Sequence, residues 1–166
     1  MDDGQARKGG SRADRKPTAE ELAEKAVTRF LTGFNCAEST LMTLAEALGH
    51  GGDAVPSVAT GFGGGLGHTG SVCGCVTGSI MAIGLRTGHR RAEDKEGKDR
   101  AIDEAAAFLH AFEREVGEIH CRTLTGYDLR DSVQFEEFRV KVKESKCAGY
   151  MRAAVRLAAR QMDIAE

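Results

Sequence analysis

The chain has 166 residues, 41% of them hydrophobic, which is enough for one compact domain around a single core. Its 23 basic and 25 acidic side chains leave a formal net charge of −2, so no strong field draws nucleic acid or an anionic membrane surface to it. The longest uncharged apolar run, residues 72–85, is too short to span a bilayer, and the opening MDDGQARKGGSRADRKP is polar, without the apolar segment of a secretion signal. Residues 1–17 therefore read as a disordered tail ahead of a helical domain over 18–166, in a cytoplasmic protein with no membrane insertion.

Apolar residues recur at three and four along most of the remainder, and the alternation of a strand is absent, so the fold class is all-α. Thr18 with Glu21 forms a capping box, and Leu22, Ala26 and Phe30 line one face until Gly33 stops the first helix. Asn35 with Glu38 caps a second, in which Cys36 is the first helical residue and Gly49 the stop. After a short piece around Pro56 comes a glycine-rich loop, GFGGGLGHTGSVCGCVTG over 61–78. It leads into a helix from about Gly74 to Leu85 with Cys73 at its start. Ile102, Ala105, Leu109, Phe112 and Val116 form the stripe of a longer helix that Gly117 closes. Cys121 opens the short CRTLTG segment, Phe135, Phe138 and Val142 mark another amphipathic helix, and Ser145 is placed to cap the last, which carries Cys147, Met151, Ala154, Val155 and Ala158.

Five cysteines without a secretion signal argue for reduced thiols over a disulfide scaffold. Cys36, Cys73, Cys121 and Cys147 each fall in the first turn of an expected helix or at its cap. A helix N-terminus carries about half a positive charge and unpaired N–H groups, which favour thiolate over thiol. If the helix starts converge, four sulfurs share one electropositive pocket suited to an anionic cluster, a divalent metal or a dithiol pair. The plain alternative is that cysteine is a small hydrophobe often buried in helical cores.

The loop contains GLGHTG over 65–70, formally the GxGxxG fingerprint, but no strand precedes it, so no nucleotide is expected. Gly65, Gly67 and Gly74 are instead read as permitting positive backbone dihedrals and offering N–H groups to whatever the cysteines hold. Gly74, Gly78 and Ala82 lie four apart and allow close helix packing, a core role for Gly78. His68, in the loop, and His120, before Cys121, are candidate ligands or proton donors, although an exposed or locally bonded histidine is the commoner outcome.

These residues resemble a known family, the redox-active proteins named for the cysteine pattern C_GCAxxG_C_C, with its CGAxxG motif. The resemblance is carried by FNCAES with Cys36, GFGGGLG leading to CGCVTG with Cys73 and Gly78, HCRTLTG with Cys121 and KCAGY with Cys147, and it covers most of the chain after Phe34. Cys75 stands where the motif has alanine and reads as an extra thiol, packed rather than functional. Two residues on from Cys73 it would lie about 200° around the helix, facing away from the pocket. The resemblance implies redox activity through four cysteines. A similar domain in split-Soret cytochromes implies iron–sulfur binding, whereas the absence of CxxCH gives no haem.

The expectation is therefore one compact helical domain in which Cys36, Cys73, Cys121 and Cys147 ligate an iron–sulfur cluster for electron transfer, with loop N–H groups tuning its potential. The alternatives are a thiol–disulfide oxidoreductase, in which Cys36 or Cys73 attacks and a second thiol resolves, and a structural zinc site. Spacing does not separate them. A redox partner is implied but not identified, and a homo-oligomer is compatible with the sequence.

Overall fold

The computed structural model describes residues 15–166. Eight α-helices pack as one domain, with no strand among the described residues: α1 (Ala19–Leu31), α2 (Cys36–Ala47), α3 (Ala54–Ala59), α4 (Gly74–Thr87), α5 (Lys95–Val116), α6 (Cys121–Thr125), α7 (Ser132–Lys141) and α8 (Ala148–Gln161). A 3₁₀ turn follows α3 at Thr60–Phe62, and a π turn, Lys143–Cys147, joins α7 to α8. The tail expected over residues 1–17 lies mostly outside the described residues. Its last part, residues 15–17, runs beside the C-terminus, where the Glu166 N–H donates to the Pro17 carbonyl at 3.0 Å.

Local chemistry sets the two helices that begin the domain. Thr18 and Glu21 close the capping box of α1, and Asn35 and Glu38 that of α2, each satisfying N–H groups that a helix start leaves open. α2 packs most extensively on α4. Gly78 sits at their closest approach, where a Cβ would come within 2.7 Å of the Ala37 carbonyl and 3.0 Å of Thr40 Cβ. The core then assembles from Leu41 and Leu44 of α2, Val76 and Ile83 of α4, Phe108 and Phe112 of α5, and Met151 and Val155 of α8, all buried. No helix among the described residues is long and apolar enough to cross a membrane.

Three expectations need correction. Ile102 is 55% exposed and Phe108 takes its place in the α5 stripe. At 100° per residue Ile102 lies about 240° around from Phe108, on the solvent side. Ser145 caps nothing: its hydroxyl donates to the Lys141 carbonyl, and the Cys147 N–H bonds back to Val142. The chain thus passes from α7 to α8 without a break, so Cys147, with helical φ −62° and ψ −34°, is not at a free helix start. Finally, α7 has an amphipathic sequence but no fully buried residue. Its Phe135 and Phe138 are half-buried, and what they border is a cavity.

Candidate functional site

All five cysteines line one cavity of about 260 Å³. Its floor is the junction of α2 and α4. Cys36 begins α2, Cys73 is the N-cap of α4, and Cys75 lies in the first turn of α4. Gly74 makes this junction fit: a Cβ there would overlap the Cys36 sulfur. Cys121, at the start of α6, is brought in by a short backbone clasp. The Cys73 N–H donates to the Ile119 carbonyl at 2.8 Å and the Cys121 N–H to the Ser71 carbonyl at 2.7 Å, around an antiparallel bridge between Val72 and His120. Cys147 enters from the π turn, and Tyr150 of α8 donates from its hydroxyl to the Leu124 carbonyl of α6 at 3.1 Å.

The loop that leads to this floor is left-handed over five consecutive residues, 64–68, including Leu66 at φ 60° and His68 at φ 65°. A left-handed L-residue costs roughly 1–2 kcal/mol, so the surroundings hold the turn against strain. They do so through backbone bonds from Gly67 to Gly61, His68 to Gly63, Gly70 to Gly64 and Ser71 to Gly65. Gly65 packs against Cys121, where a Cβ would come within 2.7 Å of that residue's Cβ. Gly67, expected at the site, points into open space and does not line the cavity. Gly64 does line it, and its N–H is turned to Cys36.

The five thiols are not equivalent. Cys36, half-buried, is pulled down to about 7 by hydrogen bonding from the neighbouring Cys75 thiol, and further by the N–H groups of Gly64, Ala37 and Cys36 itself, while burial opposes the shift. Cys75 moves the other way, held protonated as the donor to Cys36 and then to Cys73. Cys121 is pushed up to about 12 by burial and by the nearby Cys73 and Cys36 sulfurs. Cys147 is also pushed up, by burial first. The expectation that every helix start favours thiolate therefore fails at two sites. Cys121 spends its own N–H on the clasp and opens a helix of five residues, and Cys147 has no free helix start behind it.

Cys75 requires a further correction. It does not face away: its sulfur lines the same cavity as that of Cys73. The 200° separation holds only between two helical residues, but Cys73 is extended, with φ −56° and ψ 135°, and only Cys75 belongs to the helix. Of the two histidines, His68 lines the cavity, with its ring 5.1 Å from that of Phe135. His120 does not; its Nδ1 pairs with Glu118 at 2.8 Å outside the cavity. Sequence reasoning missed the remaining wall, in which Phe30, Phe34, Phe138 and Tyr150 accompany Arg139 and Lys143. The i, i+4 spacing of Arg139 and Lys143 was its available signal.

A family model described as "Putative redox-active protein (C_GCAxxG_C_C)" matches residues 34–161. The chain belongs to this family. An uncharacterized protein of Archaeoglobus fulgidus is 40% identical over 72 residues, which cover 40% of this chain and 48% of that protein, so the similarity spans about half the length of that relative. No solved structure matches.

The thiols bear differently on the metal groups considered. Among the described residues no group of three or more His, Cys, Asp or Glu side chains is arranged around a single ion. A tetrahedral zinc takes four Cys or His donors about 2.0–2.3 Å from one point, a grouping not found among the described residues. An iron–sulfur cluster takes four thiolates shared among several iron atoms, and thiols spread around one cavity suit it better.

Proposed function

We propose that this protein carries out thiol–disulfide redox chemistry, with Cys36 as the attacking thiolate and Cys75 as the resolving thiol. One observation carries the reading: Cys36 and Cys75 line the same cavity as neighbouring thiols, with the Gly64 N–H turned to Cys36. The Cys36 thiolate attacks one sulfur of a substrate disulfide, forming a mixed disulfide and releasing the other sulfur as a thiolate. Cys75 then attacks the Cys36 sulfur, giving a Cys36–Cys75 disulfide and the second substrate thiolate, which takes the proton that Cys75 gives up. The substrate gains two electrons and the protein loses two, to be restored by a reducing partner. Such a cycle suits a reducing compartment such as the cytoplasm.

The test is disulfide mapping by mass spectrometry after stoichiometric oxidation of protein purified without oxygen. A Cys36–Cys75 bridge is expected. Bridges confined to other pairs, or none while a model disulfide is left unreduced, would overturn the assignment.

A second reading is favoured by a different observation: five thiols around one cavity are three more than the exchange needs. In it Cys36, Cys73, Cys121 and Cys147 hold an iron–sulfur cluster, which when bound supplies one-electron transfer. The same anaerobic preparation decides, since visible absorption with stoichiometric iron and acid-labile sulfide supports the cluster, and colourless protein active on disulfides supports the dithiol.

A further inference from the structure

The α7 wall of the cavity is built unlike the rest of the molecule. Phe135 and Phe138 of α7 have their rings 6.4 Å apart, and the His68 ring lies 5.1 Å beyond Phe135, so three rings run along one side of the cavity. These rings border the cavity without being fully buried against any core. Arg139 and Lys143 follow one turn apart at the same wall. The Lys143 ammonium is held over the Phe30 ring, 4.6 Å from its centre, and among the described residues no carboxylate reaches it. No Asp or Glu lines the cavity. Lys143, with no carboxylate of its own, stands beside Arg139, which Glu136 pairs from outside the cavity at 3.3 Å, and these cations with a ladder of rings around a space of about 260 Å³ complement a one-ring molecule bearing a negative group.

We propose that the cavity binds a small aromatic anion, its ring against Phe135 and Phe138 and its carboxylate or sulfonate on Arg139 and Lys143, and that the disulfide reduced by this protein is an aryl disulfide of that kind. The proposal rests on the thiol–disulfide reading above for its second half only. Binding of the anion stands on the wall alone. In the reaction, Cys36 attacks the aryl disulfide and releases one arylthiolate; Cys75 attacks Cys36 in the mixed disulfide and releases the second, with its proton passing to solvent.

The kinetic test uses the full reduced chain with two aromatic disulfides, anionic 5,5′-dithiobis(2-nitrobenzoate) and neutral 4,4′-dithiodipyridine, each rate divided by its rate with N-acetylcysteine at the same pH. The expected preference for the anionic probe is at least about tenfold; in Lys143→Met and in Arg139→Met it falls toward parity, and Lys143→Arg restores it. Equal normalised rates in the unmodified protein, or a preference untouched in both methionine variants, would overturn the proposal. A binding arm separates it from the reading beneath it: Cys36→Ser protein is titrated with 4-nitrobenzoate by calorimetry. Saturable binding that Lys143→Met weakens at least about fivefold supports the anion site whatever the thiols do. No binding, with the neutral disulfide still reduced by the unmodified protein, would sink the site and leave the dithiol chemistry standing.

Discussion

The two walls of the cavity differ in how they are held. The α2–α4 floor is fixed on every side: a capping box sets Cys36, Gly74 and Gly78 bring the helices to backbone contact, and the clasp at residues 70–73 locks Cys73 to α6. The α7 wall hangs from a π turn and buries none of its residues fully. The sulfur with the lowered pKa lies on the fixed side, where the Cys75 thiol and the Gly64 N–H face it. Cys121 and Cys147 lack such donors and stay protonated. A helix start activates a thiol only when donors remain beside the sulfur to hold its anion.

The sharpest way to break this contrast is to remove one sulfur from each side. Cys36→Ser should lower disulfide reduction at pH 7 by more than about 100-fold, because serine offers no thiolate, whereas Cys147→Ser should change it less than about threefold. Comparable losses in the two variants would mean that all the sulfurs act together, as in a cluster.

The pH dependence tests the cause. Cys36 is protonated below about 7 and ionised above it, so its alkylation by iodoacetamide should rise about tenfold per pH unit up to 7 and level off above 8. In Cys75→Ala the largest stabilising donor is gone, and the midpoint should move up by about one unit or more, lowering the rate at pH 7 at least about fivefold. A midpoint unmoved by that change would show that the backbone N–H groups alone do the work and that Cys75 is a bystander.

Packing on the fixed side predicts a cost in stability. Gly78→Ala places a methyl against the Ala37 carbonyl and Thr40, and should destabilise the protein by about 1–3 kcal/mol in urea titrations. The equivalent change on the α7 side, Val140→Ala at a residue 79% exposed, should cost less than about 0.5 kcal/mol. The smallest effect is expected in the left-handed turn, where Leu66→Gly relieves strain and gives back most of the gain as entropy of the unfolded chain, leaving under about 1 kcal/mol of stabilisation.

Much of the fold was legible because its signals are local. Thr18–Glu21, Asn35–Glu38, Gly117 and Gly126 all mark helix ends where the sequence puts them, and Gly78 packs as its spacing suggested. Cys36, Cys73, Cys121 and Cys147 come to one cavity, as four helix starts in need of a common reason implied. Three features were not legible, each because it depends on more than a residue's neighbours in the chain. Cys75 joins the cavity through the extended backbone of Cys73, which a helical wheel cannot represent. Cys147 loses its helix start because Val142 accepts a bond five residues back, continuing the chain through a π turn. Arg139 and Lys143 carry no local signal beyond their i, i+4 spacing, and only the fold sets them at the cavity.

α7 has a consequence for the order in which the molecule comes apart. Local opening costs least where little apolar surface must be exposed, and α7 alone among the eight helices has no fully buried residue. Its amides should exchange with solvent deuterium well ahead of those of α2 and α4, through an opening that leaves the thiol floor intact. The cavity then has a door that moves independently of its foundation, and molecules can pass in and out at a free-energy cost well below that of unfolding the bundle.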